Sequence, residues 1–171
     1  EQIYLYDIIT GQEKQITTAQ SLKLSPVIHQ DRIVWIDSRS GEDKWDLYLY
    51  NLTTGEETAI CTNPARQAQP WNWGDNVVWA DGRNGNWDIY AYDLATNTER
   101  AVVIDTANQG NPVVHGNYLA WLDVRQGNSD IYLFDLRKGW RCLLPLFPPS
   151  RPLTTARAIP IRSNPITQAK S

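Results

Sequence analysis

The most regular polar feature of the chain is a short segment, Asp-x-Arg-x-Gly, seen three times: Asp37/Arg39/Gly41, Asp81/Arg83/Gly85 and Asp123/Arg125/Gly127. Two chemistries suit it. In an extended strand end, residues two apart point the same way, so the guanidinium can fork onto a carboxylate of its own or a neighbouring unit. Alternatively the carboxylates, with Asp46, Asp88 and Asp130 nearby, could ring a calcium ion. The arginine argues against the second, because a fixed positive charge inside a cation site repels the cation. The sequence therefore predicts a structural ion pair at each segment, with glycine supplying a turn residue of positive φ.

The remaining reactive side chains are sparse. His29 and His115 are the only histidines and share one register, three residues after Pro26 and Pro112, with Trp73 at the equivalent place after Pro70. Their separation in sequence suggests they are too far apart to share a metal or form a catalytic pair. No Gly-x-Ser-x-Gly or other nucleophile turn is present. Cys61 and Cys142 show no metal-ligand or disulfide spacing, and Cys61 falls within an apolar run that suits a buried small residue. Asn51-Leu52-Thr53 fits a glycosylation acceptor, but aspartate stands at the same register in the other repeats, which points to a polar strand end. No cofactor or metal is expected, and no catalytic set.

What positions these residues is a repeat. Tyr4, Tyr48, Tyr90 and Tyr132 recur at spacings of 44, 42 and 42 residues, each within an Ile/Leu-Tyr-x-aromatic-Asp/Asn run. Trp35, Trp79 and Trp121 recur in the same way ahead of the Asp-x-Arg-x-Gly segments, and so do Pro26, Pro70 and Pro112. Each repeat reads as four short runs rich in β-branched and aromatic residues, separated by turn residues, with no helical period. Four antiparallel strands cannot bury both faces alone, so consecutive copies must stack. The expected fold is all-β, a β-propeller of about three and a half four-stranded antiparallel blades: a half blade in 1–20, blades in 25–61 and 69–104, and an incomplete blade in 111–138. Trp35, Trp79, Trp121, Tyr48, Tyr90 and Tyr132 are then expected to pack blade on blade. Closed propellers need four to eight blades, so an open arc, a piece of a larger ring, or closure by self-association is expected.

Charge narrows the partners. Residues 1–136 carry nine Lys/Arg against all nineteen Asp/Glu, so the repeat region repels phosphate backbones and nucleic acid is not an expected partner. No apolar stretch is long enough to span a membrane, and no signal segment is visible. Eight Trp and eight Tyr against two Phe favour a half-wet surface where one end of a ring packs and the other hydrogen-bonds.

The composite repeat, Val-Trp-x-Asp-x-Arg-x-Gly followed by Trp-Asp-Ile-Tyr-x-Tyr-Asp-Leu-x-Thr, resembles the TolB-like β-propeller repeat over residues 1 to about 138. Trp79 to Tyr90 is the best match. The WD40 family is the competing possibility because of Trp45-Asp46 and Trp87-Asp88. Here, however, that dipeptide opens the third strand and has no Gly-His pair ahead of it. The TolB-like resemblance implies an extracytoplasmic interaction scaffold, in the periplasm or at the cell surface, that binds a protein or an envelope polymer.

Residues 139–171 break the pattern. Six of the ten prolines lie between Pro145 and Pro165, and no acidic residue follows Asp135. A disordered interaction tail, a basic segment for an anionic polymer and an out-of-frame end all fit. The abruptness of the change, in the middle of a blade where it strands a sheet edge, favours the last.

The expected function is therefore a non-catalytic binding scaffold. The alternatives are a fragment of a propeller-containing enzyme, such as a polysaccharide lyase or peptidase whose catalytic residues lie elsewhere, and a purely structural surface repeat. Because the recurring residues read as glue, ligand contacts are expected where the repeats differ: at Trp71 and Trp73, and in the loops 63–69 and 105–109.

Overall fold

The computed structural model describes residues 1–41 and 43–136, and every regular element in them is a β-strand. The 139–171 segment, with Cys142, lies outside the described residues. Among the described residues no helix is long and apolar enough to cross a membrane.

Strands β1 (Tyr4–Tyr6) and β2 (Glu13–Gln15) form a two-stranded sheet. A four-stranded sheet follows, built in chain order from β3 (Lys23–His29), β4 (Arg32–Asp37), β5 (Asp46–Asn51) and β6 (Glu57–Cys61). The next repeats it with β7 (Gln67–Trp73), β8 (Asn76–Asp81), β9 (Asp88–Asp93) and β10 (Thr98–Val103). The last described sheet has three strands, β11 (Gln109–His115), β12 (Tyr118–Asp123) and β13 (Asp130–Asp135). All pairings are antiparallel between chain neighbours, as short turns demand. The first strands of successive four-stranded repeats lie against one another, β3 on β7 and β7 on β11, so these strands form the inner edge of the arc. The sheets do not close into a ring.

The core is divided between sheets, for the reason the repeat requires. In β8, Val77, Val78, Trp79 and Ala80 are all buried, because alternate side chains face opposite neighbours. Val77 and Trp79, with Tyr90, pack on Val34, Leu47, Leu49 and Ile60 of the preceding sheet. Val78, with Ile89 and Ala91, packs on Val114, Leu119 and Trp121 of the following one. Trp35 meets Ile3 and Ile16 of the two-stranded sheet in the same fashion. A strand buried on both faces loses the polar/apolar alternation of a half-exposed sheet, which is why β4 and β8 read as unbroken apolar runs.

Each inner strand carries a bulge just before its proline. Register shifts occur between Leu24 and Val27, Ala68 and Trp71, and Gly110 and Val113. The residue ahead of each proline, Ser25, Gln69 or Asn111, has φ of 52°, 54° or 48°. Proline has no N–H to give to the ladder, so the bulge puts it where none is needed. A left-handed backbone is costly for a residue with a Cβ. Gln69 and Asn111 gain something in return, since the Asn111 N–H donates to Gln69 Oε1 at 2.7 Å between neighbouring sheets. Ser25 is exposed and its side chain has no such bond. Ser25→Gly is expected to stabilise the fold by about 0.5–1 kcal/mol, read as a raised urea midpoint at unchanged slope; Ser25→Val should lower it.

Candidate functional site at the inner strand ends

The Asp-x-Arg-x-Gly segments, the first place to look for chemistry, form closed clusters. Asp37, Asp81 and Asp123 are fully buried at the ends of β4, β8 and β12. In each, the indole N–H two residues earlier donates to the carboxylate: Trp35 at 3.1 Å, Trp79 at 2.8 Å and Trp121 at 3.0 Å. Arg83 adds a fork, Nε to Asp81 Oδ1 at 2.9 Å and Nη2 to Oδ2 at 2.7 Å, and Arg125 forks on Asp123 in the same way. The guanidinium planes lie over the rings of Tyr48, Tyr90 and Tyr132, at 3.9, 4.0 and 5.0 Å from the centroids, and each tyrosine stacks on its blade's tryptophan. Arg39, Arg83 and Arg125 thus bond carboxylates of their own blade. Gly41, Gly85 and Gly127 all have positive φ in the loop that follows.

The first of these clusters differs from the others. Ser21 Oγ donates to Asp37 Oδ1 at 2.6 Å, taking the oxygen that Arg83 and Arg125 use for their Nε bond elsewhere. The Arg39 guanidinium consequently reaches Asp37 only through Nη2, at 2.6 Å, alongside the Arg39 backbone N–H at 2.9 Å, and its buried Nε has no partner. Lys23 replaces the Gln67 and Gln109 of the other repeats and places a buried ammonium 3.7 Å from Asp37. Burial alone would push the Asp37 carboxyl up, yet hydrogen bonds from Arg39, Ser21 and Trp35 hold it well below the usual carboxylate range. Its folded-state value lies under the unfolded one, near 3.9, so this stabilisation is complete above about pH 5 and drains away as pH falls through the folded value. Asp37→Asn is expected to be less stable than the parent at neutral pH. In acid titrations followed by tryptophan fluorescence, the gap should narrow below about pH 4.

The other candidates for chemistry are occupied in similar ways. Asp88 accepts from Asn84, Asn86 and the Asp105 N–H, and Asp46 accepts from Ser40. No group of three His, Cys, Asp or Glu among the described residues is arranged to hold a metal ion. Cys61 is buried, receives the Arg83 Nη2–H at 3.2 Å, and burial pushes its thiol up to about 12, so it stays protonated at neutral pH. Asn51 Oδ1 accepts from the N–H groups of Thr53 and Thr54 and so serves the hairpin turn.

The inner edge of the arc is different. β3, β7 and β11 end in His29, Trp73 and His115, which meet at this edge. Both rings lie on Trp73, with centroids at 4.0 Å for His29 and 3.8 Å for His115. Converging inner strands bring together residues that the sequence separates by two repeats. The indole stands between the imidazoles, so the arrangement is a stack and not a metal chelate.

Beside this stack a cleft of about 250 Å³ opens between β3 and β7, lined by Val27, Ile28, His29, Trp71, Asn72 and Trp73. Trp71 is 41% exposed, and its Nε1–H donates to the Val114 carbonyl of β11 at 3.1 Å. Its imino group is therefore committed, and what it presents is ring carbon. Asn72 is buried; its Nδ2 donates to the Arg32 carbonyl at 3.4 Å, while Oδ1 has no partner. A second hollow of about 300 Å³ lies among hairpin turns near Asp75, Asp93 and Asn117. Its carboxylates are already used, Asp75 by Arg32 and Asp93 by the N–H groups of Ala95 and Thr96, which leaves the β3–β7 cleft as the better candidate.

Trp71 and Trp73 thus line one cleft. The loops 63–69 and 105–109 lie elsewhere, because Gln67 and Gln109 start the strands that Trp73 and His115 finish. Ile28 and Asn72 were not singled out from the sequence. The available signal was that Val27-Ile28-His29 occupies the register of Trp71-Asn72-Trp73.

No protein-family model and no curated protein sequence matches the chain. Solved structures do. TolB from Acinetobacter baumannii superposes with a TM-score of 0.65 at 21% identity, over 81% of this chain and 36% of that one. An oligogalacturonate lyase in complex with manganese gives 0.62 at 16% identity, over 80% and 46%. A prolyl endopeptidase gives 0.57 at 19% identity, over 72% and 20%. The chain spans less than half the length of each. At these identities the likeness is one of fold, and the described residues form an open arc of β-propeller blades similar in fold to those of TolB.

Proposed function

We propose that this chain is a non-catalytic binding scaffold of the cell envelope or surface, which engages a protein or envelope polymer at the inner strand ends. The observation that carries this reading is the contrast within the molecule. The repeated Asp, Arg, Trp and Tyr side chains bond to and stack on one another, while Trp71 and Ile28 leave large apolar surfaces exposed beside an unpartnered amide oxygen. Exposed aromatic surface at a concave site is where binding energy concentrates. Extracytoplasmic placement, and association of arcs into a closed ring, belong to the same proposal.

The test is retention of envelope fractions, protein and glycan separately, on immobilised protein. Retention by the parent chain, lost in Trp71→Ala with an unchanged circular dichroism spectrum, supports the reading. Equal retention by both proteins would remove the cleft from it.

A second reading, part of a propeller-containing enzyme, is favoured by the likeness to a lyase and to a peptidase. Turnover of an oligogalacturonide or a prolyl peptide by a longer product of the same gene would select it.

A further inference from the structure

We infer that the β3–β7 cleft binds a neutral pyranose residue of a glycan, stacked on Trp71 and hydrogen-bonded to Asn72. This rests on the binding-scaffold reading and names the ligand class for its site. Three features of the cleft point to it.

The first is the orphaned acceptor. Asn72 is 4% exposed, and its orientation is fixed by the Nδ2 bond to the Arg32 carbonyl, since exchanging the amide atoms would set two oxygens against each other. Asn72 lines the cleft, and its Oδ1 is buried and unpartnered. Such an acceptor calls for a donor from outside the fold. It is screened from solvent, so a ligand hydroxyl reaches it only with movement of the cleft wall, where Ile28 is 56% exposed.

The second is the platform. The Trp71 N–H is spent on Val114, which anchors the indole across β7 and β11; Trp71 lines the cleft and is 41% exposed, so the surface it offers is ring carbon. A pyranose offers the matching surface: axial C–H groups on one face, with hydroxyl groups around the rim. Hydroxyls both donate and accept, so one can meet Asn72 Oδ1 while the others stay in water.

The third is charge. No Lys or Arg lines the cleft, and residues 1–136 carry nine basic against nineteen acidic side chains. That balance repels uronic acids and sulfated or phosphorylated sugars and leaves neutral ones as the occupants.

The experiment titrates the full chain with cellobiose, maltose and chitobiose, and with digalacturonic acid as the anionic control, reading tryptophan fluorescence and saturation-transfer NMR. At least one neutral disaccharide is expected to bind in the millimolar range and the anionic one not to bind. Trp71→Ala and Asn72→Ala should each weaken binding by about tenfold or more, and Trp71→Phe should retain most of it, at unchanged circular dichroism. Absence of binding by all three neutral sugars, preference for digalacturonate, or binding indifferent to Trp71→Ala overturns the inference. The two readings fail separately. Trp71-dependent retention of envelope protein without sugar binding leaves the scaffold standing and removes the sugar, whereas hydrolysis or elimination of a bound sugar keeps the site and removes the non-catalytic reading.

Discussion

Trp79→Ala is expected to cost the fold about 4–5 kcal/mol and to lower its melting temperature by about 10 °C or more. Trp79 is fully buried in β8 at the contact between two sheets, among Leu47, Leu49 and Ile60. Truncation removes the largest side chain from that contact and opens a cavity whose walls are strands, which collapse poorly. It also deprives Asp81 Oδ2 of the indole donor at 2.8 Å and Tyr90 of its stacking partner at 6.2 Å. Because the lost contacts lie between repeats, the damage should include uncoupling. Denaturant unfolding that is single-step in the parent is expected to broaden or split in the variant. Trp79→Phe separates the contributions, keeping most of the apolar area and the ring stack while losing the N–H. A Trp79→Ala protein that melts within about 2 °C of the parent would show that the sheets do not depend on one another through this residue.

The second large effect is expected at Asp81. Asp81→Ala leaves the Trp79 indole N–H, the Arg83 backbone N–H and two guanidinium N–H groups without their acceptor at a position of zero exposure. Breaking a buried pair from one side costs about 3–5 kcal/mol, because the remaining charge stays desolvated. The lower end is expected, since Arg83 keeps 20% of its side chain in contact with solvent and retains Glu99 at 2.6 Å. The diagnostic measurement is a double-mutant cycle by chemical denaturation. Arg83→Ala removes the stranded charge, so the double variant should be more stable than the sum of the single losses implies, by about 1–3 kcal/mol. Additive losses would mean that the fork contributes little and that the indole bond alone explains the burial of Asp81.

Much of the architecture was readable in the chain because a repeat states its constraints several times. A tryptophan two residues before an aspartate, with an arginine two residues further on, fits a single geometry in which all three meet at a strand end, and period-two alternation puts them on one side. The bulges at Ser25, Gln69 and Asn111 were marked by the prolines that follow them, although the sequence does not show that the residue ahead turns left-handed. The Arg39 exception could not be read from the repeat. It depends on Ser21, which stands in the connection before β3, where Ala65 and Ala107 stand in the later repeats.

The candidate site was legible only in halves. Trp71 and Trp73 stood out as departures from the repeat, but the partners that make them a site are Val27, Ile28 and His29 of another sheet. Likewise the two histidines stand two blades apart in the repeat, and nothing in the sequence shows that both meet Trp73. Inner strands converge as the arc curves, so equivalent positions of successive repeats come into contact at that edge.

Returning to the Asp-x-Arg-x-Gly segments, the sequence by itself determined that they recur, that each sits at a strand end, and that an arginine stands two residues from each carboxylate. Those properties are local, set by spacing along one strand and by residue type. Only the tertiary structure decided that each arginine pairs with the aspartate of its own blade, that Trp73 lies between two histidines, and that Asn72 keeps an acceptor unmet beside Trp71. These depend on how far one sheet is rotated against the next, a quantity fixed by side-chain packing across the whole interface and not written at any single position.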